Sequence, residues 1–206
     1  MNIFFLLIIL FSITVHEYMH GFTAHVLGDP SPKVSGRLTL NPLVHVDPVG
    51  TIILPMLFLF SSVLFSGQPF ALGYAKPMPV NPYHFKKPRR DTMWIGIAGP
   101  GINFLLALGL GLIVRTGIST PWADLLIWGI IVNLILGFFN LLPIPPLDGS
   151  RILAALLPYS LSYRYLKMEI AGFFLIVLLI LSGLFDWFLV PAVRMVIGIF
   201  GIGGVI

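Results

Sequence analysis

The sequence predicts an all-α polytopic membrane protein, a helical bundle of about four to six membrane segments with a short β-hairpin or re-entrant region between the first and second full spans. Three observations carry that prediction. Of 206 residues, 57% are hydrophobic and 10% charged, with a mean hydropathy of +0.98, too apolar for an ordinary soluble domain. Several stretches approach the roughly 20 apolar residues that a helix needs to cross a hydrocarbon core. The polar interval between the first two of them is punctuated by proline from Pro30 to Pro88, which breaks helices and favours turns.

In chain order, the first span falls at about residues 2–27. It is apolar from its third residue and lacks the basic start and small-residue cleavage site of a signal peptide, so it is expected to stay as a transmembrane helix. The run KVSGRLTL at 33–40 alternates loosely and is expected to form a hairpin strand. The segments at 34–46 are expected to be extended, with edges to which an added strand could pair by β-augmentation. Residues 50–66 are apolar but short, with Pro55 early, so they either span or dip in and return. KKPRR at 86–90 is a charged approach to a second span at 93–115. Further spans are expected at 124–142 and 169–190, and 191–206 is apolar, glycine-rich and short. Residues 1–206 read as a single membrane-embedded domain, with no appended soluble module.

Composition excludes several functions. There is no cysteine, so neither a disulfide framework nor a thiolate metal site can form. The net charge of +4 comes from few basic residues that mostly flank apolar spans, which argues against nucleic acid and for membrane loops. Lys33, Arg37, Lys76, Lys86, Lys87, Arg89 and Arg90 lie in 28–92, and Arg151, Arg164 and Lys167 in 148–168. Only Arg115 lies in 115–123. Both basic segments are therefore expected to face the cytoplasm.

The first span carries His16-Glu17-Tyr18-Met19-His20, an HExxH motif. On a helix the spacing of four stacks both imidazoles on one face, where they can bind one zinc, and Glu17 is placed to take a proton from the attacking water. Two histidines and a glutamate inside lipid are costly unless paired, metal-bound or lining an aqueous cavity. A catalytic zinc takes three protein ligands. Among the eight acidic residues, Asp148 stands out: it ends Asn140-Leu-Leu-Pro-Ile-Pro-Pro-Leu-Asp148, where prolines break a helix and expose carbonyls and a carboxylate.

HEYMHG at 16–21, LGDPSPKVSGRLTLNPLVHVDPVGT at 27–51, AGPGINF at 98–104 and NLLPIPPLDG at 140–149 resemble the site-2 proteases, membrane-embedded zinc metalloproteases that perform intramembrane proteolysis. The chain resembles a compact form without a PDZ or CBS domain. The resemblance implies one zinc held by His16, His20 and Asp148, with Glu17 as general base. It implies single-span membrane proteins as substrates within the lipid bilayer. The chain is expected to be a multi-pass protein of the cell membrane, and the basic segments, with the depth of the motif on the first helix, put the site nearer the cytoplasmic face. Asn103 matches a family asparagine and on that resemblance is a substrate or oxyanion contact, with an interhelical hydrogen bond as the other reading. Met19 departs from the small residue common at its position. His25, His45 and His84 are expected in supporting or surface roles. The alternative function is a membrane metal transporter or metal-binding protein.

Asp148 must reach the two histidines at one depth. The site lies toward the C-terminal end of the first helix, and Asp148 follows the C-terminal end of its own. The first and 124–142 helices are therefore expected to run parallel, with 93–115 the only net crossing between them.

Overall fold

A computed structural model describes residues 3–66, 73–117 and 123–201 of the chain. Its helices are α1 (Ile3–Val26), α2 (Ser31–Val34), α3 (Leu54–Ser66), α4 (Pro88–Arg115), α5 (Ala123–Asn140), α6 (Asp148–Leu156), α7 (Tyr159–Leu166), α8 (Glu169–Leu181) and α9 (Leu184–Ile199). Among the described residues α1, α4 and α5 are long and apolar enough to cross a membrane, and shorter apolar helices cover 48–60, 169–181 and 187–199. Large apolar side chains such as Leu105, Leu112, Leu178 and Trp187 face outward, as expected where the surroundings are lipid.

Four sequence expectations need correction. No strand occurs among the described residues. Instead of a hairpin strand, 33–40 begins as the end of α2. Gly36, at φ 67°, stops that turn: its N–H reaches the Lys33 carbonyl and the Arg37 N–H reaches Pro32, the paired bonds of a Schellman stop. The glycine that looked like one step of an alternation is a helix terminator. Nor is 34–46 extended: Pro42–Val44 forms a short 3₁₀ turn, capped by Asn41, whose side-chain oxygen accepts from the Leu43 N–H. The helix expected from 93 starts at Pro88, because proline at the first helical position costs no hydrogen bond and Asp91 accepts from the Lys87 N–H at 2.9 Å. The span expected at 169–190 is broken at Gly183, which adopts φ 72° and separates α8 from α9. Pro191 then lies inside α9. Residues 202–206 of the expected terminal stretch lie outside the described residues.

Side-chain pairings set the helix directions. Phe5 meets Trp128 edge-on at 5.2 Å and Ser12 meets Asn133 at 3.0 Å, so position rises together along α1 and α5 and the two run parallel. His20 meets Ile95 and His16 meets Asn103, so α4 runs antiparallel to α1. Phe104 against Phe138, with Gly129 beside Leu110, makes α4 antiparallel to α5. The end of α1 and the start of α4 thus share one face, and the chain between them returns to the level it left. Residues 73–74 lie against 50–55: the Tyr74 N–H donates to the Gly50 carbonyl, and the Thr51 hydroxyl to Tyr74.

Lipid tails are as apolar as leucine, so helices in a membrane associate through close packing and hydrogen bonds rather than through transfer out of water. The main apolar cluster, Ala107, Ile130, Ile131, Leu134, Leu189, Val193 and Ile197, joins α4, α5 and α9. Gly111 gives room to the Phe200 ring, and Gly137 to Phe104.

At the shared face a buried carboxylate closes the fold. Asp29, fully buried, accepts from the backbone N–H of Ser31 (3.0 Å) and of Asn81 (2.7 Å) and pairs with His84 Nδ1 at 2.8 Å. It ties the end of α1 to the segment that leads into α4. Burial alone would raise its pKa, but these hydrogen bonds outweigh it and hold the carboxyl below its ordinary value. A carboxyl lowered in the folded state adds stability that is complete above its unfolded pKa and fades as pH falls through the lowered one. Asp29→Ala should therefore cost about 1.5–3 kcal/mol of local stability at neutral pH, read as lost hydrogen-exchange protection across 73–87. The native protein should lose the same protection on acidification below the ordinary carboxylate range, and the variant should show no further change there.

Candidate metal centre

His16 and His20 stand one turn apart on α1, both buried, with their rings 4.7 Å apart and nearly perpendicular. Asp148 opens α6. The loop before it is tightly wound: the Ile144 N–H bonds to Leu142, the Leu147 N–H to Ile144 and the Ser150 N–H to Leu147. Tyr165 on α7 donates its hydroxyl to the Pro143 carbonyl at 2.7 Å. Glycines let these parts approach: a Cβ on Gly96 would lie 2.9 Å from the Asp148 carbonyl oxygen, and one on Gly149 would strike the Leu141 carbonyl. Arg89 holds the far end of α6 by donating to the carbonyls of Ala155 and Leu157.

The result is a triangle of donor atoms. His16 Nε2 and Asp148 Oδ2 are 3.1 Å apart, His20 Nε2 and Asp148 Oδ2 3.0 Å, and the two Nε2 atoms 3.0 Å. Among the described residues this trio is the group of His, Asp or Glu side chains placed to hold a metal ion. Three ligands at about 2.0–2.1 Å from a tetrahedral zinc would lie about 3.3 Å from one another, close to the observed spacing. The Nδ1 of His20 is 2.7 Å from the Ile95 carbonyl, which can only accept, so Nδ1 carries the proton and Nε2 presents its lone pair to the triangle.

Gly99 supplies the second test of fit. A Cβ built there would lie 2.5 Å from His20 Nε2 and 2.6 Å from His16 Nε2, too close to both. The space that a side chain would fill lies beside both nitrogens, where an ion could be seated. Pro100, next along α4, lies inside the helix and cannot donate to the Gly96 carbonyl. The donor types, their spacing and this cradle all fit zinc.

Glu17 follows His16 on α1 and is half-buried. Asp148 Oδ1, pointing away from the histidines, lies 3.7 Å from Arg151 Nη1. Asn103 is fully buried, with Oδ1 2.5 Å from His16 Nδ1 and Nδ2 donating to Asn133 Oδ1 at 2.7 Å. Both ends of its amide are thus held between helices. The other histidines stay out of the trio: His84 pairs with Asp29, His45 Nε2 meets the Thr39 carbonyl at 2.9 Å, and His25 sits at the end of α1. Sequence reasoning missed Gly99, Asn133 and the Ile95 carbonyl. Asn133 carries a readable signal, a lone amide in the middle of an apolar helix; a backbone carbonyl and a gap left by glycine carry none until the helices are packed.

Comparison with known proteins gives the same direction. The model of peptidase family M50 matches residues 113–182, which include Asp148. YwhC of Bacillus subtilis, provisionally named a zinc metalloprotease, is 38% identical over 87% of this chain and 81% of its own length. Rip2 of Mycobacterium tuberculosis, with the same provisional name, is 32% identical over 87% of this chain and 67% of its own. The zinc metalloprotease MJ0392 of Methanocaldococcus jannaschii is 41% identical over 40% of this chain and 24% of its own. No solved structure matches.

The cradle makes a sharp prediction. Gly99→Ala, which removes no donor atom, should weaken zinc binding at least about tenfold, the scale of a disturbed supporting contact. Gly101→Ala, two residues on and with nothing within 4 Å of the added carbon, should bind zinc as the native protein does. Zinc content of purified protein after chelator challenge distinguishes them.

Proposed function

Because the chain belongs to peptidase family M50, the site-2 proteases, and is a zinc metalloprotease, we propose that it hydrolyses peptide bonds in or near the transmembrane segments of single-span membrane proteins. The observation that carries this reading is the convergence of His16, His20 and Asp148 to within 3.1 Å of one another, with both histidines on a helix long and apolar enough to cross a membrane. In this reading the three side chains hold one zinc per chain. When bound, zinc lowers the pKa of water and polarises the scissile carbonyl.

The protein's own groups do the rest. Glu17 takes the proton of the attacking water and passes it to the leaving nitrogen, so its carboxylate must begin the cycle ionised. Ile95 fixes the His20 ring, and Arg151 beside Asp148 Oδ1 offsets the charge of the carboxylate oxygen turned from the histidines. A peptide bond inside a helix has its carbonyl engaged and its backbone shielded, so the substrate must unwind locally before it can be cut.

The reading places the protein as a multi-pass component of the cell membrane with its site nearer the cytoplasmic side. The support is charge: Lys33, Arg37, Lys76, Lys86, Lys87, Arg89 and Arg90 all fall between α1 and the first turn of α4, on the face that Asp29 closes, and Arg115 sits at the other end of α4. The segment that leaves and returns at that face, with α3 in it, is read as re-entrant rather than as a separate crossing.

Two substitutions test the chemistry. Glu17→Gln should retain zinc and lower cleavage of a single-span substrate in proteoliposomes by about 10²–10⁴-fold, the usual contribution of a positioned acid-base group. Asp148→Ala should lose zinc and cleavage together. Undiminished cleavage by Glu17→Gln would remove the proposed mechanism. Cleavage confined to soluble peptides would remove the intramembrane reading and leave the protease.

A further inference from the structure

Zinc binding through Nε2 requires that His16 carry its proton on Nδ1, and the group facing Nδ1 is an amide that could present either oxygen or nitrogen. Which one it presents is set three residues away. The chain of contacts begins at the Gly129 carbonyl, which can only accept. The Asn133 atom 2.8 Å from it must therefore be Nδ2, which also donates to Ser12 Oγ at 3.0 Å. That turns Asn133 Oδ1 toward Asn103 at 2.7 Å, and an oxygen there accepts only, so the Asn103 atom facing it is Nδ2. Asn103 Oδ1 is left facing His16 Nδ1 at 2.5 Å. Each step follows from the donor and acceptor inventory of the groups.

We propose that Asn133 and Asn103 are positioning residues: a hydrogen-bond relay from the Gly129 carbonyl that locks His16 in the tautomer whose Nε2 lone pair points at the Gly99 cradle. This rests on the reading of the trio as the zinc site. All four side chains, Ser12, Asn133, Asn103 and His16, are at most 6% exposed, so no bulk water competes for their hydrogen bonds. The relay spans α1, α4 and α5, and it treats the two histidines differently. His20 takes its tautomer from a backbone carbonyl one helix away; His16 takes it from two side chains, so its tautomer alone can be altered by substitution.

The relay has a directional consequence that packing lacks. Removing the acceptor at 133 frees the Asn103 amide to rotate and offer Nδ2 to His16 Nδ1. The ring then carries its proton on Nε2, inside the donor triangle, where it opposes the metal. A threonine at 133 can donate its hydroxyl to the carbonyl four residues back, as threonine commonly does in a helix, leaving only lone pairs for Asn103. A valine has the same shape and no hydroxyl.

The test uses the full chain in detergent with selectively ¹⁵N-labelled histidine. It compares the native protein with Asn133→Thr, Asn133→Val and Asn103→Leu. Zinc affinity is measured by chelator competition, and the His16 ring tautomer is read from the ¹⁵N spectrum of the metal-free forms. Asn133→Val and Asn103→Leu should lose about 10–100-fold in zinc affinity and show His16 protonated on Nε2, with Asn133→Thr close to native in both readouts. Equal zinc affinity in the Thr and Val variants, with His16 on Nδ1 in each, would overturn the relay while leaving the zinc site standing. A native protein that holds no zinc yet shows the tautomer changing between Thr and Val would overturn the zinc reading and keep the relay. If Asn103→Leu fails to fold, the isosteric pair at 133 decides alone.

Discussion

Everything else in this molecule answers to one electrostatic constraint. Three atoms that each present a lone pair, two imidazole nitrogens and a carboxylate oxygen, are brought to 3.0–3.1 Å of one another in a buried, largely apolar surrounding. Without a cation such an arrangement is repulsive, and at low dielectric the repulsion is not screened away. Rigid elements must hold it. The helical repeat of α1 supplies two of the three donors at the right spacing, which is the cheapest part. The third arrives from a site 128 residues or more along the chain, and only because α4 is thin enough, at Gly96 and Gly99, to let α6 and α1 meet across it.

Close contact through glycine takes the place that hydrophobic transfer occupies in a soluble core. In lipid an apolar side chain gains little by moving from tails to protein, so α1, α4 and α5 are joined by shape and by hydrogen bonds. The polar line from Gly129 through Asn133 and Asn103 to His16 bonds three helices and, in the proposed reading, also aims a ligand. The apolar cluster of α4, α5 and α9 lies apart from it. The donor triangle and the bulk packing therefore occupy different parts of the same bundle, and among the described residues no hydrogen bond joins α9 to the triangle.

The site was more legible in the sequence than the fold around it, for physical reasons. HExxH is a local pattern whose geometry follows from helical periodicity alone, and Asp148 could be found because an acidic residue after a proline-broken apolar helix has few bland explanations. The parallel course of α1 and α5 followed from requiring those donors to meet. Asn103 was singled out by the family resemblance, but which atoms it faces depends on Asn133, and that depends on packing. The expected strand at 33–40 failed because Gly36 has two meanings in a sequence: a weak strand position, or the left-handed stop of a helical turn. Only the Pro32 carbonyl, waiting for the Arg37 N–H, separates them. Gly183 defeated the 169–190 span in the same way.

Placement along α1 connects geometry to chemistry. His20 lies about 9 Å, and His16 about 15 Å, from the end of the helix at Val26, at 1.5 Å per residue. That end is the one that Asp29 clamps and the basic residues surround. Hydrolysis consumes water and must have a route for it, whereas an unwound peptide must be kept from the hydrogen bonds that bulk water would offer its backbone. A site about one and a half to three turns below a polar rim meets both needs. Glu17, half-buried, and Arg151, whose side chain is 33% exposed, are the partly open members of the constellation. In the proposed mechanism both use that opening: Glu17 meets the incoming water whose proton it passes to the leaving nitrogen, and Arg151 keeps a charge hydrated beside the buried carboxylate.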